Sequence, residues 1–222
     1  FLPSIGRLTR YRPPAETAAY TPGVAAGDAG DVVVRNDTGV YEGGEISMYY
    51  DPMIAKLCTW APTREAAIEA MRVALDSFEV EGIGHNLPFL SAVMDHPIFI
   101  KGDMTTAFIE EQYPEGFVGV ELPDADLRRI AAASAAMNRV AEIRRARVSG
   151  RLDNHERHVG EAWNVAVQGE SYDVTIAADK SGSNVTFVDG STLRVNGDWT
   201  PGDQLANMLV DDAPLVMKVG KV

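Results

Sequence analysis

The sequence predicts an α+β protein built in two parts, and three observations carry that prediction. Between Thr63 and His96 apolar residues recur at helical spacing, flanked by short β-rich runs. From Asp124 to about Val148 runs one long helical segment of small and basic residues. From Trp163 onward the apolar period drops to two, with Gly- and Asp-containing turns between the runs. A stretch rich in Pro, Gly and acidic residues, 114–122, separates the two patterns, so the expected division is 1–113, a linker 114–122, and 123–222.

In the first part Val32-Val33-Val34 and Ile46 to Tyr50 read as strands, with Gly43-Gly44 marking a turn or a close backbone approach. Asp51-Pro52 fixes a corner: proline sets its own φ and drives the preceding residue out of the α region. A short strand is expected to begin directly from that corner. Its apolar members Met53, Ile54, Leu57, Cys58 and Trp60 read as buried, with Lys56 as the one conspicuous cation. Thr63 can cap a helix whose packed face holds Ile68, Met71, Leu75 and Phe78. A second helix starts near Asn86, presents Leu87, Leu90, Val93 and Met94, and ends at His96-Pro97; Asp103 reads as the cap of a third, short one.

In the second part Asp124 and Asp126 open the long helix and Arg144, Arg145 and Arg147 close it, an order that suits the helix dipole. Leu127, Ile130, Met137, Val140, Ala141 and Val148 mark its apolar side. The run Ala131-Ala132-Ala133-Ser134-Ala135-Ala136 is small on every face, which favours close enclosure by other backbone over helix propensity alone. Alternating runs follow: Trp163 to Val167, Tyr172 to Ile176, Val185 to Phe187, Leu193 to Val195, Leu205 to Val210 and Leu215 to Val219. Turns fall at Gly169-Glu170, Ser181-Gly182-Ser183, Asp189-Gly190, Asn196-Gly197 and Asp211 to Pro214. Five or six antiparallel strands after one small-residue helix predict a sheet curled around it, since closure removes exposed edges.

Composition removes several classes of function. The chain has 222 residues, 45% of them hydrophobic, enough for one large or two ordinary domains. A net charge of −12 and the lack of a basic stripe interleaved with aromatics argue against nucleic acid as a partner. No apolar run approaches the roughly 18 residues of a membrane span, and the N-terminal residues do not read as a basic-then-apolar leader. Cys58 stands alone, so no disulfide forms within the chain, and a buried small hydrophobe is favoured over a reactive thiol. His155 and His158 have a spacing that could ligate zinc, but they sit in a polar loop, 149–161, without a third convincing ligand. The opening on Phe1 without Met, and the close within an alternating run, suggest a piece of a longer protein.

Several words of the sequence resemble a known family. Phe1-Leu2-Pro3-Ser4-Ile5-Gly6, Tyr49-Tyr50-Asp51-Pro52-Met53-Ile54-Ala55-Lys56-Leu57 and Gly84-His85-Asn86-Leu87-Pro88-Phe89-Leu90 match, in order and spacing, the C-terminal part of the biotin carboxylase domain of biotin-dependent acyl-CoA carboxylases. Lys101-Gly102-Asp103, Tyr113-Pro114-Glu115-Gly116-Phe117, Trp163, Asp189-Gly190-Ser191 and Leu193 extend the resemblance, and the later ones favour the branch of propionyl-CoA carboxylase α subunits. The resemblance implies the end of an ATP-grasp biotin carboxylase domain, followed by a subunit-docking (BT) domain in which an antiparallel barrel wraps a central helix, here short of its last strands. It implies a ligase that carboxylates biotin from bicarbonate and ATP, with magnesium or manganese, after which a carboxyltransferase β subunit passes the carboxyl group to an acyl-CoA. The carrier domain bearing biotin would belong to the same chain, in the cytoplasm or, in a eukaryote, the mitochondrial matrix. Another acyl-CoA or pyruvate carboxylase, and a non-catalytic assembly module, are the competing readings.

The same resemblance places site residues. The catalytic arginine, the metal-binding glutamates and the phosphate loop are expected upstream of Phe1, so these residues alone should be inactive. Phe1 matches a phenylalanine that approaches biotin, although a core residue at a strand end remains an equal reading; Thr106 matches a position beside the adenine, although a local helix cap is favoured. Arg35 and Asp51 match positions near a carboxylase dimer contact, against the simpler reading of local ion pairing. Lys56 reads as a strand lysine snorkelling to the sheet edge rather than a catalytic group. The loop 149–161, with Arg151, His155, Arg157 and His158, has no core to serve and is expected to form part of the subunit interface.

Overall fold

A computed structural model describes residues 4–16, 32–147, 149 and 157–220. The chain divides into two compact units, Phe1–Val120 and Glu121–Val222.

The first unit combines three two-stranded antiparallel ribbons with four helices. Strand β1 (Gly6–Arg7) pairs with β4 (Glu45–Ile46), β2 (Arg10–Arg12) with β6 (Glu79–Glu81), and β3 (Val33–Thr38) with β5 (Ala55–Trp60). Leu8 amide and carbonyl bond Gly44 and Gly43, so the glycine pair does bring two backbones together. Gly82 shows a stricter need. It lies at φ +95°, and a Cβ there would run into the Arg7 carbonyl and the Thr9 amide. Only glycine fits such a crossing.

Helix α1 (Arg64–Ser77) starts as the sequence requires, with Thr63 accepting from the Ala66 amide at 3.2 Å and Ile68, Leu75 and the C-cap Phe78 buried. Helix α2 (Leu87–Asp95) buries Leu87, Phe89 and Val93. Helix α2 ends at His96-Pro97, as the sequence requires, and a new helix starts there at once. His96 caps the end of α2 and the start of α3 (Pro97–Lys101), its Nδ1 accepting from the Ile98 amide at 3.3 Å. Asp103 therefore follows a helix instead of capping one, and α4 (Phe108–Gln112) begins after Ala107. The core gathers Leu8, Tyr11, Ile46, Leu75, Phe78, Val80 and Leu87. A satellite of Phe89, Val93 and Phe108, edge-packed with Tyr113 and Phe117, seats α4.

The corner at Asp51-Pro52 exists, but its surroundings differ from expectation. Tyr49 and Tyr50 are 90% and 84% exposed and lie in no strand, and β5 starts at Ala55, not at the corner. Because β5 has β3 as its partner in a two-stranded ribbon, Leu57 and Cys58 are half-buried and Met53 and Trp60 exposed, where a buried strand was expected.

The second unit is one helix held by one sheet. Helix α5 (Asp124–Ala146) is followed by β7 (Ala162–Val167), β8 (Glu170–Asp179), β9 (Gly182–Phe187), β10 (Thr192–Gly197), β11 (Leu205–Val210) and β12 (Ala213–Lys218). They form a six-stranded antiparallel meander in chain order. Register places Trp163 against Val174, Ile176 against Val185, and Val195 against Val210, so one face carries Val174, Ile176, Val185, Val195 and Val210 onto the helix. Strands β7 to β11 all touch α5, and Ala131, Ala132 and Ala133 have no exposed surface. The curl stops short of a barrel: among the described residues β7 and β12 are each bonded to one neighbour, leaving a half-barrel. Val140, placed by the sequence on the apolar side of the helix, is 45% exposed. The Asp211-Asp212 turn is tighter than expected, both residues having positive φ, and Ala213 and Pro214 already belong to β12. Pro214 is tolerated because its strand is an edge. Asn196 and Gly197 lie within β10 rather than in a turn.

Candidate functional site

In the first unit the corner, the residue Ser4 and the start of α2 meet around a cleft of about 660 Å³, lined by Ser4, Pro52, Met53, Gly84, His85 and Pro88 among others. Ser4 Oγ accepts from the Gly84 amide at 2.8 Å, which ties the first of the three family-like words to the third, while Pro52 to Ala55 bring in the second. The cleft is thus assembled by local devices. Asp51 Oδ1 accepts from the Met53 amide at 3.0 Å, holding the turn around Pro52. Arg35 Nε lies 3.0 Å from Asp37 Oδ1 on the same exposed strand, and this neighbour raises the guanidinium pKa above its ordinary value. Arg35 and Asp51 are therefore each engaged two residues away along the chain. Lys56 is exposed on β5, opposite Asp37 in register, and lies at the side of an open cleft of about 520 Å³ that Asp37 and Asp51 also line. Cys58, half-buried, holds its thiol 3.9 Å from the Lys56 carbonyl.

Thr106 is exposed in the turn before α4, and its neighbour makes the local bond there: Thr105 Oγ1 accepts from the Ala107 amide at 3.2 Å. Phe1, Arg151 and His155 lie outside the described residues. His158 is exposed. Among the described residues there is no group of three or more His, Cys, Asp or Glu that could hold a metal ion, and no helix is long and apolar enough to cross a membrane.

The second unit contributes two charged constellations, one at each end of α5. At the start, Arg128 donates to Asp124 (2.9 Å), Asp189 (2.7 Å) and Ser191 (2.9 Å) and lies 4.9 Å over the Phe187 ring. Tyr172 donates to Asp124 at 3.0 Å; burial, then that carboxylate, pushes its hydroxyl pKa up. Asp189 is held down to about 2, first by the Ser191 hydroxyl, then by the Ser191 amide and Arg128. This end is a fastener between helix and sheet.

At the far end Glu142 is 8% exposed, accepts from Arg145 at 2.5 Å and is met closely by Arg157 Nη2. The Arg145 hydrogen bond is the main cause that lowers the Glu142 pKa, against an opposing contribution from burial. Arg157 therefore does serve the fold: it ties the chain, as it re-enters toward β7, to α5. Sequence reasoning passed over Glu142. The available signal was a carboxylate three residues before Arg145 within a helix otherwise read as small or apolar.

Residues 1–111 match the model of the biotin carboxylase C-terminal domain, and residues 130–222 that of the propionyl-coenzyme A carboxylase BT domain. The chain is 77% identical over its whole length to the propionyl-CoA carboxylase alpha chain of Ruegeria pomeroyi, of which it covers 33%. Over 95% of its length it is 34% identical to the mitochondrial alpha chain of Mus musculus, of which it covers 27%. It thus spans about a third of the length of the curated relatives it matches. Among solved structures, the biotin carboxylase domain dimer of Hydrogenobacter thermophilus 2-oxoglutarate carboxylase, in complex with MgADP, ADP and bicarbonate, is 34% identical, with 55% of this chain and 23% of that one covered and a TM-score of 0.44. The chain belongs to the biotin carboxylase family, through its C-terminal domain, and continues into a BT domain of the propionyl-CoA carboxylase type.

Proposed function

We propose that these residues form the end of the biotin carboxylase domain and most of the docking domain of a propionyl-CoA carboxylase α chain. In this reading the longer chain activates bicarbonate with ATP and magnesium or manganese and carboxylates biotin on its own carrier domain. The β subunit then moves the carboxyl group to propionyl-CoA. The observation that carries the reading is the order of the two family matches within one chain, carboxylase end first and BT domain second, each on its own compact unit.

The phosphate loop, the metal-binding glutamates and the catalytic arginine are expected upstream of Phe1, which leaves the residues of this chain the work of binding and shape. The first unit closes one wall of the carboxylase, where Phe1 and Thr106 are the candidates nearest biotin and adenine. The second holds the β subunit, with Arg151, His155, Arg157 and His158 as the candidate contact region and the half-barrel as its rigid support. Arg35 and Asp51 are candidates for a carboxylase-to-carboxylase contact. The mitochondrial relatives support a matrix location in eukaryotes and the bacterial one the cytoplasm.

Labelled bicarbonate offered with ATP, the complete α chain, the β subunit and a panel of acyl-CoAs tests this. The expected outcome is ATP-dependent labelling of propionyl-CoA in preference to longer or branched acyl groups. Label that stays on biotin, or that moves to pyruvate, refutes the reading.

A further inference from the structure

The segment that leaves α5 at its C-cap, Arg147, returns to the sheet at Ala162, the first residue of β7. Residues 148 and 150–156 lie outside the described residues, while the returning arm, 157–161, is described. Arg157 opens that arm, and its guanidinium reaches back fifteen residues along the chain to Glu142.

The pairing at Glu142 is more than its charge requires. Arg145, one turn further along the same helix, donates to Glu142 Oε1 at 2.5 Å and would by itself balance the carboxylate. Oε2 is met separately, by Arg157 Nη2. Glu142 is 8% exposed. A carboxylate so nearly buried is costly unless its oxygens are paired, whereas an ion pair between two exposed side chains is worth little, so this second partner is firmly held. Helical spacing supplies Arg145 without help from any other element. Arg157 reaches the carboxylate only when the returning arm lies against α5. The helix therefore fixes one foot of the segment and the Glu142–Arg157 pair fixes the other. His158 is exposed and follows directly, so its place is set by the same bond.

Resting on the docking role proposed above for this segment, we propose that Glu142 and Arg157 form a clasp that orders the returning arm before the β subunit arrives. Arg157, one of the candidate contacts, is then a positioning residue: it acts on docking through the bond to Glu142 and not by touching the partner. An arm ordered in advance loses less conformational freedom on association. Ordering one further backbone residue at the moment of binding weakens association by about tenfold.

A double-mutant cycle on the complete α chain tests the clasp, with Glu142→Gln, Arg157→Ala and the two together. The dissociation constant for the β subunit is read by biolayer interferometry and the fold by circular dichroism. Glu142 has almost no surface to offer a partner, so a change in affinity on its replacement reports position. A purely structural role would lower the melting temperature of the folded variants and leave their affinity unmoved. Each single change is expected to weaken association by about tenfold, and the double change no further than either alone, because both break one bond. Should Glu142→Gln fail to fold, Glu142→Asp takes its place with the same expectation, since it keeps the charge and draws the carboxylate back by one methylene. Losses that multiply toward about a hundredfold in the double variant make the two residues independent, and overturn the inference while leaving the docking role standing. Affinity of the folded Glu142 variant within about twofold of wild type does the same, whatever Arg157→Ala shows. No association of the wild-type chain with the β subunit overturns the docking role and the clasp's part in it together.

Discussion

Asp189 is where three donors from two elements converge, the Ser191 hydroxyl at 2.6 Å, the Ser191 amide at 2.9 Å and Arg128 at 2.7 Å. These bonds favour the charged form and hold its pKa near 2, below the ordinary 3.8. A pKa depressed by folding contributes stability that is complete above the unfolded value and is lost as pH falls through the folded one. The second unit should therefore lose melting temperature between pH 3.8 and about 2 as Asp189 takes up its proton. In Asp189→Asn the loss is present at neutral pH and the acid limb is shallower; melting curves from pH 7 downward, followed by tryptophan fluorescence, give both slopes. An Asp189→Asn variant with the wild-type acid limb would assign that limb to other carboxylates. The Asp189-Gly190-Ser191 turn was legible, being short and local. The Arg128 bond to it, and Arg157's bond to Glu142, were not, because each joins residues whose proximity exists only after the helix has docked.

At the scale of elements the Ala run of α5 is the clearest case of sequence dictating packing. Ala132 has no exposed surface and Ala136 is 5% exposed, both within the core cluster that the sheet's Val174, Ile176, Val185 and Val195 form with the helix. Ala132→Leu or Ala136→Leu should cost about 1–3 kcal/mol through overpacking, where the same change on an open helix costs a few tenths of a kcal/mol in propensity. Chemical denaturation reads the difference, and a loss under about 0.5 kcal/mol in both variants contradicts enclosure. In the first unit, Gly82→Ala should destabilise by more than about 1 kcal/mol, because the new methyl meets backbone at Arg7 and Thr9 and not a side chain able to move aside. A Gly82→Ala protein with wild-type denaturation would mean that the ribbons of β2 and β6 can separate locally. The period of two in β7 to β12 exposed the meander because one face is buried and the other wet, whereas Tyr49 and Tyr50 misled, being aromatic residues next to an Ile that ends its strand at position 46. His96 leaves the helix as a residue before proline usually does, but for a single position, and its own ring caps a next helix that periodicity did not reveal.

For the whole molecule, composition sets acidic, Pro- and Gly-containing residues between a mixed pattern and a helix-then-hairpins pattern, and the chain divides into its compact units between Val120 and Glu121. The site was less legible, because the cleft beside Pro52 is assembled from three short words far apart in sequence, and a single chain read by periodicity gives no distances between them. The proposed function divides the labour, with carboxylation of biotin served by the first unit's domain and delivery to the acyl-CoA by the second. The most direct measurement compares the complete α chain with one that ends at Val120, each supplied with ATP, bicarbonate and free biotin, then with the β subunit and propionyl-CoA. The shortened chain should still release ADP in a biotin-dependent manner but neither co-sediment with the β subunit nor carboxylate propionyl-CoA. A folded, biotin-dependent shortened chain that still binds the β subunit as tightly as the complete one would contradict the account.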